Sequence, residues 1–110
     1  MLDMDHFAAL SDPTRRAILE LLARRGELPA GEIAAQFDIS GPAVSQHLKA
    51  LREAGLVRVE RRAQQRIYRL NPEAMRELEQ WAGHLRYVWE RRLDSLEAFL
   101  RSEDEGKGHG

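Results

Sequence analysis

The stretch Ser40-Gly41-Pro42-Ala43-Val44-Ser45-Gln46-His47-Leu48-Lys49-Ala50-Leu51-Arg52-Glu53-Ala54-Gly55 decides how the rest of the chain is read. Serine can cap a helix, proline fits its first turn, and glycine ends one, so the spacing predicts a helix over about 41–54. At 100° per residue Val44, Leu48 and Leu51 fall within about 60° of one another and form a buried side. Pro42, Ser45, Gln46, Lys49 and Glu53 share the opposite face, and all are polar or small. His47 lies about 60° from Val44, at the edge of the apolar side, where packing or capping suits it better than an outward contact.

Working upstream, a short helix from Ala30 to about Phe37 would bury Ile33, Ala34 and Phe37, and only Asp38 and Ile39 separate it from Ser40. Two short helices joined this way suggest a helix-turn-helix. Asp12 and Pro13 open an earlier helix that runs to Arg25, with Ala17, Ile18, Leu21 and Leu22 as its core stripe and Gly26 as its stop. Asp3 to Leu10 forms the first helix. Downstream, Leu56–Arg62 and Gln65–Leu70 read as two strands joined through Ala63, a candidate wing. Asn71-Pro72-Glu73 then starts a last helix that continues to about Arg101. The expected fold is therefore mainly α: five helices and a small β-hairpin wing, a winged helix-turn-helix occupying residues 1–101. Residues 102–110 are expected to be a disordered tail.

The last helix carries Met75, Leu78, Ala82, Leu85, Trp89, Leu96 and Leu100 at heptad-like spacing, with Trp81 and Val88 on a second flank. This face is wider than a domain of 110 residues can cover alone, and a second copy of the chain is the natural cover. The expected interface between copies comprises Met4, Phe7, Leu78, Trp81, Leu85, Val88, Trp89 and Leu96, the first helix lying alongside the last.

Composition narrows the possible chemistry. With zero cysteines there is no disulfide framework and no thiolate metal site. No segment approaches the ~20 apolar residues of a membrane span and the N-terminus has no leader pattern, so a cytoplasmic protein without a membrane partner is expected. The net charge of -1 conceals an asymmetry. Between Ser40 and Leu70, seven cations (Lys49, Arg52, Arg58, Arg61, Arg62, Arg66, Arg69) face two carboxylates (Glu53, Glu60), an excess of +5. Two acids cannot neutralise seven cations, so this segment invites an anionic partner.

A polar helix face next to a cationic hairpin suits double-stranded DNA. Ser45 and Gln46 would reach base edges, Gln46 bonding to adenine N6 and N7, and Pro42 would touch a thymine methyl. Ser40, besides capping, leaves free amides beside it for a phosphate. Lys49, Arg15 and Arg16 are candidate phosphate contacts, and Arg61, Arg62, Gln64 and Arg66 candidate wing contacts. Taken singly, each of these is equally compatible with an ordinary solvated surface. Arg58 and Arg69 alternate along the strands and can simply face solvent.

The segments Ala9-Leu10-Ser11-Asp12-Pro13-Thr14-Arg15-Arg16, Ile18-Leu19, Val44 through Val57, and Ile67-Tyr68-Arg69-Leu70, in this order, resemble the ArsR family of winged-helix repressors from about Asp5 to Leu100. The resemblance implies a homodimer that occupies an inverted-repeat operator and blocks transcription of its own or a neighbouring operon. The chain departs from the metal-sensing members at two places: Glu32-Ile33-Ala34-Ala35-Gln36 stands where they carry a cysteine motif, and the last helix lacks their paired ligand pattern. Neither a metal nor a cofactor is expected. Ala63 takes the place of the usual wing glycine, at a cost of about 1 kcal/mol if the turn needs positive φ.

Two other classes compete. A winged-helix module could use its long apolar helix to bind a protein, with little affinity for DNA, although the +5 segment argues against this. A sensor could assemble a ligand or metal site between chains from His84, His6 and carboxylates, but a lone helical histidine is weak support. Catalysis has no converging acid, base and nucleophile; Ser45 and His47 point about 200° apart on one helix. The chain does not read as an enzyme.

Overall fold

The computed structural model describes residues 4–108. Its elements run α1 (Met4–Leu10), α2 (Pro13–Arg25), β1 (Glu27–Pro29), α3 (Ala30–Ala35), α4 (Gly41–Glu53), β2 (Val57–Arg62), β3 (Gln65–Leu70) and α5 (Pro72–Gly108). Two compact units divide between Glu77 and Leu78. The first holds α1 to β3 and the start of α5, and the second is the rest of α5.

In the first unit the helices start where the chemistry of their caps dictates. The Asp12 carboxylate accepts from the Arg15 amide at 3.0 Å, and Pro13 fills the position that needs no N–H. Ser40 caps α4 by accepting from the Ala43 amide at 3.2 Å. At the other end of α4 the Gly55 amide donates to the Arg52 carbonyl and the Leu56 amide to the Leu51 carbonyl, each at 3.0 Å. With Gly55 at φ +77 this is a Schellman stop, and it turns Leu56 into the core. Asn71 then joins this stop to the start of α5: its side-chain amide donates to the Gly55 carbonyl at 2.8 Å and its oxygen accepts from the Glu73 amide at 3.2 Å.

The core is built from Ile18, Leu22, Ile33, Val44, Leu48, Leu51 and Leu56, all at most 2% exposed. The buried side of α4 is the expected Val44, Leu48 and Leu51. On α2 the buried set is Ile18, Leu19, Leu21 and Leu22, so Leu19 takes the role expected of Ala17. On α1 the buried residues are His6 and Ala9, while Phe7 and Leu10 are half-buried and Ala8 is exposed.

Two features differ from the sequence reading. A third strand, β1, pairs antiparallel with β3 through Glu27↔Arg69, Leu28↔Tyr68 and Pro29↔Ile67, giving the order β1-β3-β2. Its three residues are too few to show a period, and its proline is tolerated because β1 is an edge strand. The second difference is that α5 continues to Gly108 instead of closing near Arg101. No proline interrupts Ser102–Gly108, and local backbone bonds carry the helix on where no packing stops it.

The wing turn is the two-residue loop Ala63-Gln64, closed by the pair Arg62↔Gln65. Ala63 takes φ +56 and is the one described non-glycine residue with positive φ, so the left-handed conformation expected of a glycine is imposed on an alanine. No helix of the described residues is long and apolar enough to cross a membrane.

Candidate nucleic-acid interface

The outward face of α4 is as the angular reading required: Pro42, Ser45, Gln46, Lys49 and Glu53 are exposed, and so is Ser40 at its cap. His47 is half-buried, with Nδ1 3.7 Å from the Asp12 carboxylate, so it turns inward toward the cap of α2 and away from the outer face. The Asp12 carboxyl is held below its ordinary range by the Arg15 amide and, more weakly, by the charges of His47 and Arg15.

Beside α4 runs the hairpin, and a groove of about 290 Å³ lies between them, lined by Ala30, Ser45, Gln46, Leu48, Lys49, Arg52, Arg66 and Tyr68. The fold thus brings Arg66 of β3 next to the polar face of α4, which sequence alone could not place. A neighbouring cleft is lined by Pro29, Ala30, Gly31, Gln64, Gln65 and Arg66, so Gln64 in the turn continues the same surface.

Pairing across the hairpin sorts its arginines. Arg58 lies opposite Arg69, and Arg61 opposite Arg66. Like charges directly opposite on neighbouring strands repel. The first pair is relieved by carboxylates: Arg58 lies 3.8 Å from Glu73, and Arg69 lowers the pKa of its partner in register, Glu27. The second pair has no such relief, because among the described residues no carboxylate makes a salt bridge to Lys49, Arg52, Arg61 or Arg66.

Arg62 behaves differently from its neighbours. It donates two hydrogen bonds to Glu27, at 2.7 and 3.3 Å, and a third to Glu60 at 2.9 Å. These partners raise the guanidinium pKa above its ordinary value, and the Arg62 bonds hold the Glu27 carboxyl below its own. As a wing contact, Arg62 is therefore already engaged within the protein. The cause is β1, the strand absent from the sequence reading, which delivers Glu27.

Arg15 and Arg16 are engaged too. Arg15 donates to the carbonyls of Ala9 at 2.7 Å and Ala8 at 3.0 Å, and Arg16 donates to that of Leu10 at 2.6 Å. Both close the C-terminal end of α1, whose last turn holds no basic residue of its own. Their role in the fold is structural, whatever donors remain for a phosphate.

On α5, Trp81, Leu85, Val88, Trp89 and Leu96 are exposed, as are Leu93, Phe99 and Leu100, while Leu78 is half-buried. Leu93 and Phe99 lie on the same stripe by helical angle and could have been found that way. The side chain of Met4 lies outside the described residues. His84 is exposed, and among the described residues no group of three or more His, Asp or Glu is placed to hold a metal.

Comparison with known proteins agrees with this geometry. Residues 10–60 match the helix-turn-helix domain family. The chain is 43% identical over 75 residues to the transcriptional repressor SdpR of Bacillus subtilis, covering 68% of this chain and 82% of that protein. It is 41% identical over 97 residues to the HTH-type transcriptional regulator Rv2034 of Mycobacterium tuberculosis, covering 88% and 87%. Among solved structures, an ArsR-like transcriptional regulator from Rhodococcus sp. RHA1 superposes with a TM-score of 0.71 at 30% identity, over 86% of this chain and 89% of that one.

Proposed function

Because the chain belongs to the ArsR family of winged helix-turn-helix transcriptional regulators, we propose that it is a homodimeric repressor that reads an inverted-repeat operator with α4 of each copy. It is a DNA-binding regulator and not an enzyme, as its family is. Its place of action is the cytoplasm, and its target is the control region of its own or a neighbouring operon.

The observation that carries this reading is the uncompensated Arg61–Arg66 pair beside the exposed polar face of α4. A like-charge pair across a hairpin costs stability unless an anion joins it, and DNA phosphates supply that anion where the base-reading side chains need it. Ser45 and Gln46 contact base edges and Pro42 a thymine methyl. Lys49, Arg61 and Arg66 hold phosphates, with Gln64 at the turn and the amides beside Ser40 extending the contact. Arg15, Arg16 and Arg62 serve first as internal braces. The two copies meet through the apolar stripe of α5 centred on Leu85, Val88, Trp89 and Leu96, an exposed patch of the kind that marks a protein partner.

The test is fluorescence anisotropy with DNA from upstream of the protein's own gene, at two salt concentrations, for the native chain and for Ser45→Ala/Gln46→Ala. Tight binding that the variant loses, above a weak and salt-sensitive binding to unrelated DNA, is the expected result. Equal binding to all duplexes by both proteins would overturn the role of α4 as the reader.

A further inference from the structure

The flank of α4 that faces β3 carries Ser45, Lys49 and Arg52, the i, i+4, i+7 spacing that stacks side chains along a helix. With Arg66 and Tyr68 opposite, this ridge lines a groove whose ionisable groups include three cations and no carboxylate. The other flank of α4 is of opposite character. Its cleft with α1 and α2 is lined by Asp5, Ala8, Ala9, Arg15, Ala50, Glu53 and Ala54, and there Arg15 is already bonded to carbonyls. A polyanion passing α4 is thus drawn to the β3 side and repelled from the α1 side.

Arg52 is the member of this groove without an assigned role. It is exposed and free of carboxylate partners among the described residues, and it stands about two helical turns from Ser45 on the same ridge. At that distance along the helix, a guanidinium is placed for the backbone of a strand in the groove and away from the base edges assigned to Ser45. We propose that the groove between α4 and β3 is a phosphodiester slot in which Arg52 and Arg66 grip one DNA phosphate from opposite walls. Arg52 is a positioning residue: by fixing that phosphate it sets how α4 lies in the major groove, and so where Ser45 and Gln46 meet the base edges. The inference rests on the proposed reading of α4.

The experiment uses the full chain and a duplex recovered by selection from a random library. Phosphate-ethylation interference is mapped for the native protein, Arg52→Ala, Arg52→Lys and Arg66→Ala, with the salt dependence of binding measured alongside. Arg52→Ala is expected to lose interference at one phosphate per half-site, the same one that Arg66→Ala loses, and, with two half-sites per dimer, to flatten the slope of log K against log salt by about 1.8. Arg52→Lys keeps the charge and therefore the slope, while losing the two-pronged grip and part of the preference for the selected duplex. The melting temperature should not move, which separates this role from a structural one. Native interference and slope in Arg52→Ala, or loss of different phosphates in the two alanine variants, would overturn the proposal while leaving the reading of α4 intact. Failure to select any preferred duplex would overturn that reading, and this proposal with it. Inorganic phosphate at matched ionic strength should compete no better than chloride. Competition that Arg52→Ala abolishes, with no change in the interference map, would reassign the slot to a free anion and refute the proposal.

Discussion

Two arginines of one hairpin should respond oppositely to deletion. Arg66 has no carboxylate within salt-bridge distance among the described residues, whereas Arg62 is held by Glu27 at 2.7 Å and Glu60 at 2.9 Å. Each phosphate neutralised by a protein cation contributes about 0.9 to the slope of log K against log salt. Arg66→Ala, which removes one such contact from each copy of the dimer, should therefore flatten the slope by about 1.8. Over a fourfold rise in salt the variant should lose about 12-fold less affinity than the native chain, since 1.8 × log 4 is about 1.08. Glu27→Gln/Arg62→Gln removes the other arginine together with its main partner, leaving net charge unchanged, and should keep the native slope. Unrelated duplex DNA suffices, because the counterion term is independent of sequence, and anisotropy titrations between about 50 and 200 mM salt resolve a difference of this size. Equal flattening in both variants would refute the argument, because it would mean that the Glu27–Arg62–Glu60 cluster opens on DNA and that pairing within the free protein does not decide which cations meet phosphate.

The strained turn gives a second test: Ala63→Gly should raise stability by about 0.5–1 kcal/mol, read as a higher urea midpoint, the relief of a positive φ outweighing the looser unfolded chain. Asn71→Ala removes both the cap of α5 and the donor to Gly55, and should cost about 1–2 kcal/mol by the same assay, with Asn71→Asp, which keeps the acceptor only, falling between. The Asp12 carboxyl has a folded pKa below the ordinary carboxylate value, chiefly through the Arg15 amide, so its charge stabilises the fold above about pH 4 and that contribution is lost as pH falls through the lower folded value. Asp12→Asn keeps a good cap, so its melting temperature should lie below that of the native chain at pH 6 and converge with it in acid; a constant gap would remove the charge from the explanation. Trp89→Ala should halve the mass seen by light scattering at low micromolar concentration, and a persistent dimer would move the interface elsewhere.

Much of the fold was legible because its signals are local. Asp12-Pro13, Ser40-Gly41-Pro42, Gly55 and Asn71-Pro72 each announce a helix end through the backbone groups left unpaired there, and each cap is found where those residues stand. The buried side of α4 followed from angle alone. Missed features were those without local periodicity. Strand β1 exists because β3 offers an edge to Glu27–Pro29, a fact about two segments nearly forty residues apart. The extension of α5 past Arg101 was missed for the opposite reason: a polar, glycine-containing segment was read as unable to pack, although a helix needs no packing partner to satisfy its backbone.

The interface was legible as a charge excess but not as a set of residues, and the difference lies in what a one-dimensional count can see. Seven cations against two carboxylates between Ser40 and Leu70 predicted an anionic partner, yet that count treated Arg62 and Arg66 alike. In the fold, Glu27 and Glu73, both outside the counted segment, each claim one arginine, Arg62 and Arg58. The excess that remains is gathered at Arg61, Arg66, Lys49 and Arg52. A chain of net charge -1 can thus present a cationic groove, because Glu27, Glu60 and Glu73 pair with Arg62 and Arg58 while no carboxylate lines the groove beside α4. Solubility and DNA affinity then cease to compete. On the proposed reading, repulsion within the strip is tolerated in the free protein and would be relieved by DNA phosphates, so part of the binding energy would come from removing a strain that the free protein already carries.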